Sequence, residues 1–158
     1  MCYQKGIAQM ARLDDMDIEK LKDQLMLHEG LELKPYQCTA DKTTIGVGRN
    51  IQEIGITEDE ARYLLDNDIL RVCSELDERI HWWRDLSEVR QRVLIDMVFN
   101  LGITRFMKFS RTIEAIEAGQ YDIAAEEMLD SQWSRQVGKR SQTLSEAMRT
   151  DILEIAYE

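Results

Sequence analysis

The sequence has few of the residues that mark covalent or metal-centred chemistry. Its 158 residues include three cysteines and two histidines, and no two cysteines have the CxxC spacing. An odd number of unclustered cysteines is typical of reduced thiols and not of a disulfide framework or a zinc site. We therefore expect no metal ion and no other cofactor.

Long apolar runs and an excess of positive charge are also missing. No stretch approaches the roughly 18 uninterrupted apolar residues of a membrane span, and the start MCYQKGIAQMARLDDMD lacks a charged-then-apolar signal pattern. The formal net charge is −10, whereas contact with phosphates needs a basic surface. These absences predict a protein that starts in a cytoplasm, has no stable membrane insertion and binds no nucleic acid.

Proline occurs once, and the apolar residues recur mainly at helical spacing. Spacing and capping signals predict helices over residues 18–28, 88–101, 110–118 and 122–130, a turn around Trp133, and a last helix after Gly138. The apolar stripe predicted for that last helix consists of Leu144, Ala147, Met148, Ile152 and Ile155. A longer helix of about 24 residues begins near Thr57, which forms a capping box with Glu60. Its predicted apolar face consists of Ala61, Leu64, Leu65, Ile69, Val72, Leu76 and Ile80.

Between the first helix and the long one, the apolar residues no longer recur at helical spacing. The segments LELKPYQC and TTIGVGR are rich in strand-forming residues and flank the turn-former TADK, which predicts a β-hairpin or a three-stranded sheet. The expected fold class is α+β and mainly α: a small β-containing lobe, a long connecting helix and a helical lobe, with a cleft between the lobes. Residues 1–17 would be an extension, and residues 18–158 the domain.

Glu29 is the first candidate for chemistry. At helical spacing it follows Leu25 and Met26 on the apolar face. A carboxylate at the negative end of a helix dipole, partly buried, should have a raised pKa, as a general acid needs. Periodicity alone favours the alternative, an ordinary solvated glutamate beyond the helix end.

Cys38 and Thr44 follow in the strand region. Cysteine nucleophiles normally need a histidine base, and His28, ten positions from Cys38, belongs to no supporting local pattern. Cys73, within the long helix, fits better as a small buried hydrophobe. Thr44 is either a strand former or a hydroxyl aimed at a bound water, and taken alone the strand former is favoured. TTIGVGRN lacks the lysine of a phosphate-binding loop.

Taken together, these residues resemble the phage-type lysozymes, the endolysins of T-even and lambdoid phages in glycoside hydrolase family 24. The match is Glu29, eight residues, Cys38, five residues, Thr44, and the flanking HEGLELKPY and TTIGVGR are also similar to that family's signature. Further similarity lies in ITEDEARYLLDND, DMVFNLG, FSRT, YDIAAEEM, SQW and then Arg140. The resemblance covers roughly residues 18–150.

The resemblance implies a lysozyme-like fold and hydrolysis of the β-1,4 bond between N-acetylmuramic acid and N-acetylglucosamine in peptidoglycan. Glu29 would be the general acid, Thr44 would hold the attacking water, and Cys38 would stabilise positive charge at the anomeric carbon or orient that water. Similarity to the T-even members implies inversion, whereas Cys38 as a covalent nucleophile would imply retention. The implied substrate-binding residues are Phe99, Asn100 and Thr112. Phe99 would offer an apolar platform to a sugar face, with core packing as the alternative, whereas Trp133 is expected to pack in the core or on the surface of its lobe.

Three charged positions are implied to support the site. Arg140 matches a family arginine that pairs with the catalytic glutamate, which would oppose a raised pKa of Glu29. Where T-even members have a histidine paired with an aspartate on the long helix, this sequence has Arg49 and Asp68. Because a guanidinium can replace an imidazolium in such a pair, we expect an Arg49–Asp68 ion pair.

The expected protein is a monomeric endolysin that stays in the host cytoplasm until lysis, needs a holin-type pore for access, and acts on the cell wall in the periplasm. Its negative charge should slow encounter with anionic peptidoglycan unless cations cluster near the cleft. The candidate cations are Arg49, Arg105, Lys108, Arg111, Lys139 and Arg140. Two alternatives stay open: a lytic transglycosylase on the same substrate, and an inactive wall-binding protein on a lysozyme-like scaffold.

Overall fold

The computed structural model of the protein describes residues 17–154. The expected extension, residues 1–17, therefore lies outside the described residues except for Asp17. The chain divides into two compact units between Leu65 and Asp66. The two units are described separately below, and the cleft expected between two lobes stays a prediction.

The first unit begins with a helix and a small sheet. Helix α1 (Ile18–Glu29) starts at Asp17, whose carboxylate accepts a hydrogen bond from the Lys20 amide, and it ends at Gly30. Strands β1 (Glu32–Gln37), β2 (Thr43–Gly46) and β3 (Arg49–Asn50) follow. They form an antiparallel sheet in the order β1-β2-β3. Both the first helix and the three-stranded alternative for the sheet are confirmed.

The long helix α2 (Glu58–Arg79) has 22 residues and crosses from the first unit into the second. Its capping box is present: the Glu60 amide donates to Thr57 Oγ1 at 3.2 Å, and the Thr57 amide donates to Glu60 Oε2 at 2.7 Å. The predicted apolar face is buried only in the second half of the helix. Val72 and Leu76 are buried, whereas Leu64 is 51% exposed and Leu65 44%.

The reason for this difference is that the two units have unequal cores. The described hydrophobic core runs from Val72 to Met148. Within residues 17–65, Thr44 is buried and no apolar side chain is buried. Leu64 and Leu65 therefore follow the helical period, although no apolar side chain within residues 17–65 is buried.

The second unit is helical. After a 3₁₀ turn (Trp83–Asp85) come α3 (Glu88–Leu101), α4 (Ile103–Phe106), α5 (Ser110–Glu117), α6 (Tyr121–Leu129), α7 (Gln132–Val137) and α8 (Lys139–Thr150). Helix α3 supplies the expected core, because Val93, Leu94, Met97 and Val98 are all buried. These findings confirm the α+β, mainly helical fold class.

Two local predictions in this unit are wrong. The segment around Trp133 is the helix α7 and not a turn, and Ser131 caps it by accepting a hydrogen bond from the Ser134 amide. The stripe predicted for the last helix is buried at Leu144, Ala147 and Met148, but α8 ends at Thr150 and leaves Ile152 exposed. Ile155, the last residue of that stripe, lies outside the described residues.

None of the helices in residues 17–154 combines the length and the apolar character needed to cross a membrane.

Candidate active site

Glu29 is the last residue of α1 and is exposed to solvent. Its side chain lies against Gly48, in the turn between β2 and β3. A methyl group built on Gly48 would stand 3.1 Å from Glu29 Oε2. The helix end and the sheet of the first unit therefore meet at this carboxylate.

Cys38 follows β1 and begins the tight turn that leads into β2. Its amide donates to the Lys42 carbonyl at 3.0 Å, and its carbonyl accepts from the Asp41 amide at 2.8 Å. Asp41 has a left-handed backbone (φ 57°), which short polar side chains tolerate better than most. Asp41 thus shapes the turn that holds Cys38.

Thr44 lies in β2, opposite Tyr36 of β1 and Asn50 of β3, with only 3% of its surface exposed. Its hydroxyl donates to the Lys42 carbonyl at 3.0 Å. Thr44 is therefore a buried strand residue, and its hydroxyl reaches the turn that carries Cys38. A role of this hydroxyl toward a bound water stays a prediction.

The Cys38 thiol has a lowered pKa. Hydrogen bonds from the backbone of Lys42 and then of Ala40 stabilise its ionised form, and the Thr44 side chain adds a third. The hydrogen bonds of this turn thus stabilise the thiolate relative to the thiol. Cys73 packs against the hydrophobic core, as the alternative for that residue predicts.

The expected Arg49–Asp68 ion pair is replaced by two other pairs. Arg49 Nη1 lies 2.6 Å from Glu60 Oε2 and donates to the Gly55 carbonyl at 3.3 Å, because the turn after β3 brings the start of α2 to this guanidinium. Asp68 pairs with Arg71, one helical turn further along α2, at 3.2 Å.

Arg140, the implied partner of the catalytic glutamate, forms an ion pair within the second unit. Its Nη2 and Nε lie 2.7 and 2.8 Å from Asp96 Oδ1. Asp96 belongs to α3 and Arg140 to α8, so the pair links two helices. Sequence reasoning missed Asp96, although its acidic side chain interrupts the apolar run VLIDMVF.

The three implied substrate-binding residues all lie in the second unit. Phe99, near the end of α3, is 44% exposed, which favours the apolar platform over core packing. Asn100 Oδ1 accepts a hydrogen bond from Trp133 Nε1 at 2.8 Å. Thr112 in α5 is buried. Trp133, which we expected only to pack against other side chains, therefore also holds Asn100 in place through this hydrogen bond.

Thr112 and Trp133 line a pocket of about 630 Å³ in the second unit. Three cations of the predicted patch, Arg105, Lys108 and Arg111, line the same pocket. Arg111 pairs with Glu127 at 3.5 Å, whereas Arg105 and Lys108 have no ion pair within residues 17–154. Two carboxylates, Glu127 and Asp130, also line the pocket, so its charged lining has one more cation than anion, whereas the whole chain is negative.

The comparison with known proteins identifies the family. The model of the family described as phage lysozyme matches residues 26–150, which include Glu29, Cys38, Thr44 and the pocket. The chain belongs to the phage lysozyme family. As a member of this family it is a lysozyme-type peptidoglycan hydrolase.

Individual phage lysozyme relatives are similar over most of the chain. The probable T4-type lysozyme 1 of Dictyostelium discoideum is 25% identical over 86% of this chain and 97% of its own length. An endolysin of Acyrthosiphon pisum secondary endosymbiont phage 1 is 32% identical over 72% of this chain and 78% of its own. The pre-baseplate central spike protein Gp5 of Enterobacteria phage T4 is 25% identical over 89% of this chain and 29% of that protein.

Proposed function

We propose that this family member is a muramidase of glycoside hydrolase family 24 that hydrolyses the β-1,4 bond between N-acetylmuramic acid and N-acetylglucosamine. The observation that carries the proposal is the arrangement in the first unit. Glu29 lies at the helix end beside the β2–β3 turn, and the Lys42 carbonyl accepts hydrogen bonds from both the Cys38 amide and the Thr44 hydroxyl, which holds these two residues at one turn.

The proposed reaction assigns a separate role to each residue. Glu29, protonated, gives its proton to the oxygen of the leaving sugar as the glycosidic bond breaks. The Thr44 hydroxyl holds a water that attacks the anomeric carbon, and the water's proton passes to solvent. The Cys38 thiolate stabilises the positive charge that develops at that carbon. Attack by water from the opposite face inverts the configuration.

In the proposed biological role, the protein is an endolysin that lyses the host. The monomeric enzyme accumulates in the host cytoplasm, a holin-type pore gives it access, and it degrades the wall from the periplasm. The match to a phage endolysin supports this role. Growth of a host that expresses the chain, with and without a co-expressed pore protein, tests it, and lysis without the pore would contradict it.

Replacing Glu29 tests the chemistry directly. Glu29→Gln keeps the shape of the side chain but has no acidic proton, so clearing of permeabilised Gram-negative cells should slow by at least about 100-fold. Glu32→Gln, an exposed glutamate of β1, is the matched control and should keep the wild-type rate. An unchanged rate for Glu29→Gln would favour the wall-binding alternative and contradict the proposal.

The reaction products separate hydrolysis from its enzymatic alternative. Mass spectrometry of the released muropeptides should show the added mass of water. A 1,6-anhydro product would mean a transglycosylase. The anomer formed first in each turnover should be inverted, and retention would instead make Cys38 a covalent nucleophile.

A further inference from the structure

Gly48 differs from every other glycine in the described part of the chain. Seven glycines of residues 17–154 have a left-handed backbone, which by itself favours glycine. For six of them, an added methyl group would meet no atom within 4 Å. At Gly48 the three nearest atoms would be Oε2, Cβ and Cδ of Glu29, at 3.1, 3.6 and 3.6 Å.

At these distances the side chain of Glu29 lies directly beside Gly48. An approach of 3.1 Å is closer than the roughly 3.5–4.0 Å at which heavy atoms pack best. A Cβ at position 48 would therefore be crowded by Glu29 Oε2, and the carboxylate would have to shift by a few tenths of an ångström to admit it. Backbone conformation explains why a glycine is present, but it does not explain why Glu29 fills that space.

We propose that Gly48 is a positioning residue for Glu29: the bare backbone of the β2–β3 turn forms the surface against which the carboxylate of the general acid rests. The inference rests on the proposed role of Glu29. Helix α1 ends at Glu29 and leaves its side chain exposed, so the turn limits the rotamers from which the proton can be delivered. A side chain at position 48 displaces the acid without altering the sugar-binding residues of the second unit.

The expected signature of a displaced acid is a loss in kcat with KM preserved. Misplacement of a reacting group by about 1 Å costs up to roughly 100-fold in rate, so a shift of a few tenths of an ångström should cost several-fold. We expect Gly48→Ala to lower kcat on fluorescently labelled, purified peptidoglycan by roughly three- to tenfold, with KM within about twofold of wild type.

Gly46→Ala is the matched control. Gly46 has the same φ of 68° as Gly48, and a methyl group there meets nothing within 4 Å. Both variants therefore place a side chain at the same unfavourable φ, and thermal unfolding should show similar losses of stability. Only Gly48→Ala should lose kcat, and equal loss in both variants would overturn the proposal.

Combining Glu29→Asp with Gly48→Ala distinguishes a positioning role of Gly48 from a purely structural one. Glu29→Asp withdraws the carboxylate from Gly48, so adding Gly48→Ala to Glu29→Asp should change kcat by less than about twofold. A loss in that background as large as the loss in the wild-type background would contradict the proposal. If the alanine variants do not fold, Gly48→Asn and Gly46→Asn repeat the comparison, because asparagine tolerates the left-handed backbone.

The two proposals fail in different ways. Wild-type activity in Glu29→Gln would remove the proposed function and this inference together. A large loss in Glu29→Gln, with Gly48→Ala indistinguishable from Gly46→Ala, would leave the muramidase proposal intact and overturn the role of Gly48 alone.

Discussion

At the scale of single residues, Cys38 shows how backbone geometry shifts the ionisation of a side chain. A thiol with an ordinary pKa of about 8.5 is mostly protonated at neutral pH. The tight turn that follows β1 directs hydrogen bonds from Lys42 and Ala40 to the sulfur and lowers its pKa. The turn thus moves this position toward the behaviour of an aspartate.

The first prediction concerns the pH dependence that this shift creates. Because the pKa of Cys38 is lowered, its thiolate forms at a lower pH than the thiolate of an ordinary cysteine. If the thiolate stabilises the developing cation, the ratio of wild-type to Cys38→Ser activity should rise with pH by roughly tenfold or more and then level off. Activity of both proteins on purified peptidoglycan from pH 5 to 9 measures this ratio.

Cys38→Asp is the companion variant. Its carboxylate is charged from a much lower pH, so its advantage over Cys38→Ser should be present at pH 5 and constant above it. A wild-type to Cys38→Ser ratio that does not vary with pH would mean that the charge on sulfur plays no part.

The sequence allowed Glu29, Cys38 and Thr44 to be named through their spacing, but not the state of the thiol. That state depends on which amides of residues 40–42 point at the sulfur, and spacing does not contain this information. The partner of Arg49 was missed for a similar reason. The turn of residues 51–57 brings Glu60 to the guanidinium, and its path cannot be read from the sequence.

At the scale of elements, the start of α2 joins two features that the sequence suggested separately. Glu60 closes the capping box with Thr57 and also accepts a hydrogen bond from Arg49 of β3. Hydrogen bonds from the Thr57 amide and then from Arg49 lower the pKa of Glu60. One carboxylate therefore fixes both the beginning of the helix and the end of the sheet.

The second prediction is a loss of stability in acid that depends on Glu60. A folded-state pKa below the unfolded value of about 4.3 gives stability that is fully present above the unfolded value and is lost as pH falls through the folded one. The Tm advantage of wild type over Glu60→Gln should therefore close as the pH falls from 6 to 2. Because both side chains are about 40% exposed, the contribution should stay below about 1 kcal/mol.

Thermal unfolding followed by far-UV circular dichroism measures this difference. A gap between the two proteins that widens in acid would have the wrong sign and would contradict the lowered pKa. A gap that stays constant with pH would mean that the amide of glutamine replaces the carboxylate fully.

Helix boundaries were predicted well where a cap is encoded locally, as at Asp17, Thr57 and Ser87. Helix α7 was missed because its main anchor is not local. Trp133 is buried and bonded to Asn100, which lies 33 residues earlier in the chain. Such a contact stabilises a six-residue helix whose own sequence gives little signal.

At the scale of the whole molecule, charge is distributed unevenly. The net charge of −10 opposes approach to an anionic wall, yet three cations line one pocket of the second unit. Local fields from such clusters raise encounter rates at low ionic strength and are screened by salt. The number of charges was readable from the sequence, whereas their convergence on one pocket required the fold.

The third prediction follows from this pocket. Raising the salt concentration from about 50 to 200 mM should lower wall-clearing activity several-fold, because the Debye length shortens. Arg105→Glu should lower the activity at low salt and weaken its salt dependence. Arg92→Glu makes the same change of charge on an exposed side chain that does not line the pocket, and it should have a smaller effect.

Equal effects of Arg105→Glu and Arg92→Glu would assign the salt dependence to total charge and not to the pocket. Activity that does not change with salt would exclude electrostatic steering of either kind.

The concentration of buried apolar side chains after residue 71 has a thermodynamic consequence. The heat-capacity change of unfolding follows the apolar surface that becomes exposed, at about 12–15 cal/mol/K per residue in an ordinary globular protein. A chain of 158 residues would then give about 2 kcal/mol/K, whereas one core of about 90 residues gives about 1.2 kcal/mol/K. We expect a value near the smaller figure, and hence a stability that changes little between a cold and a warm host.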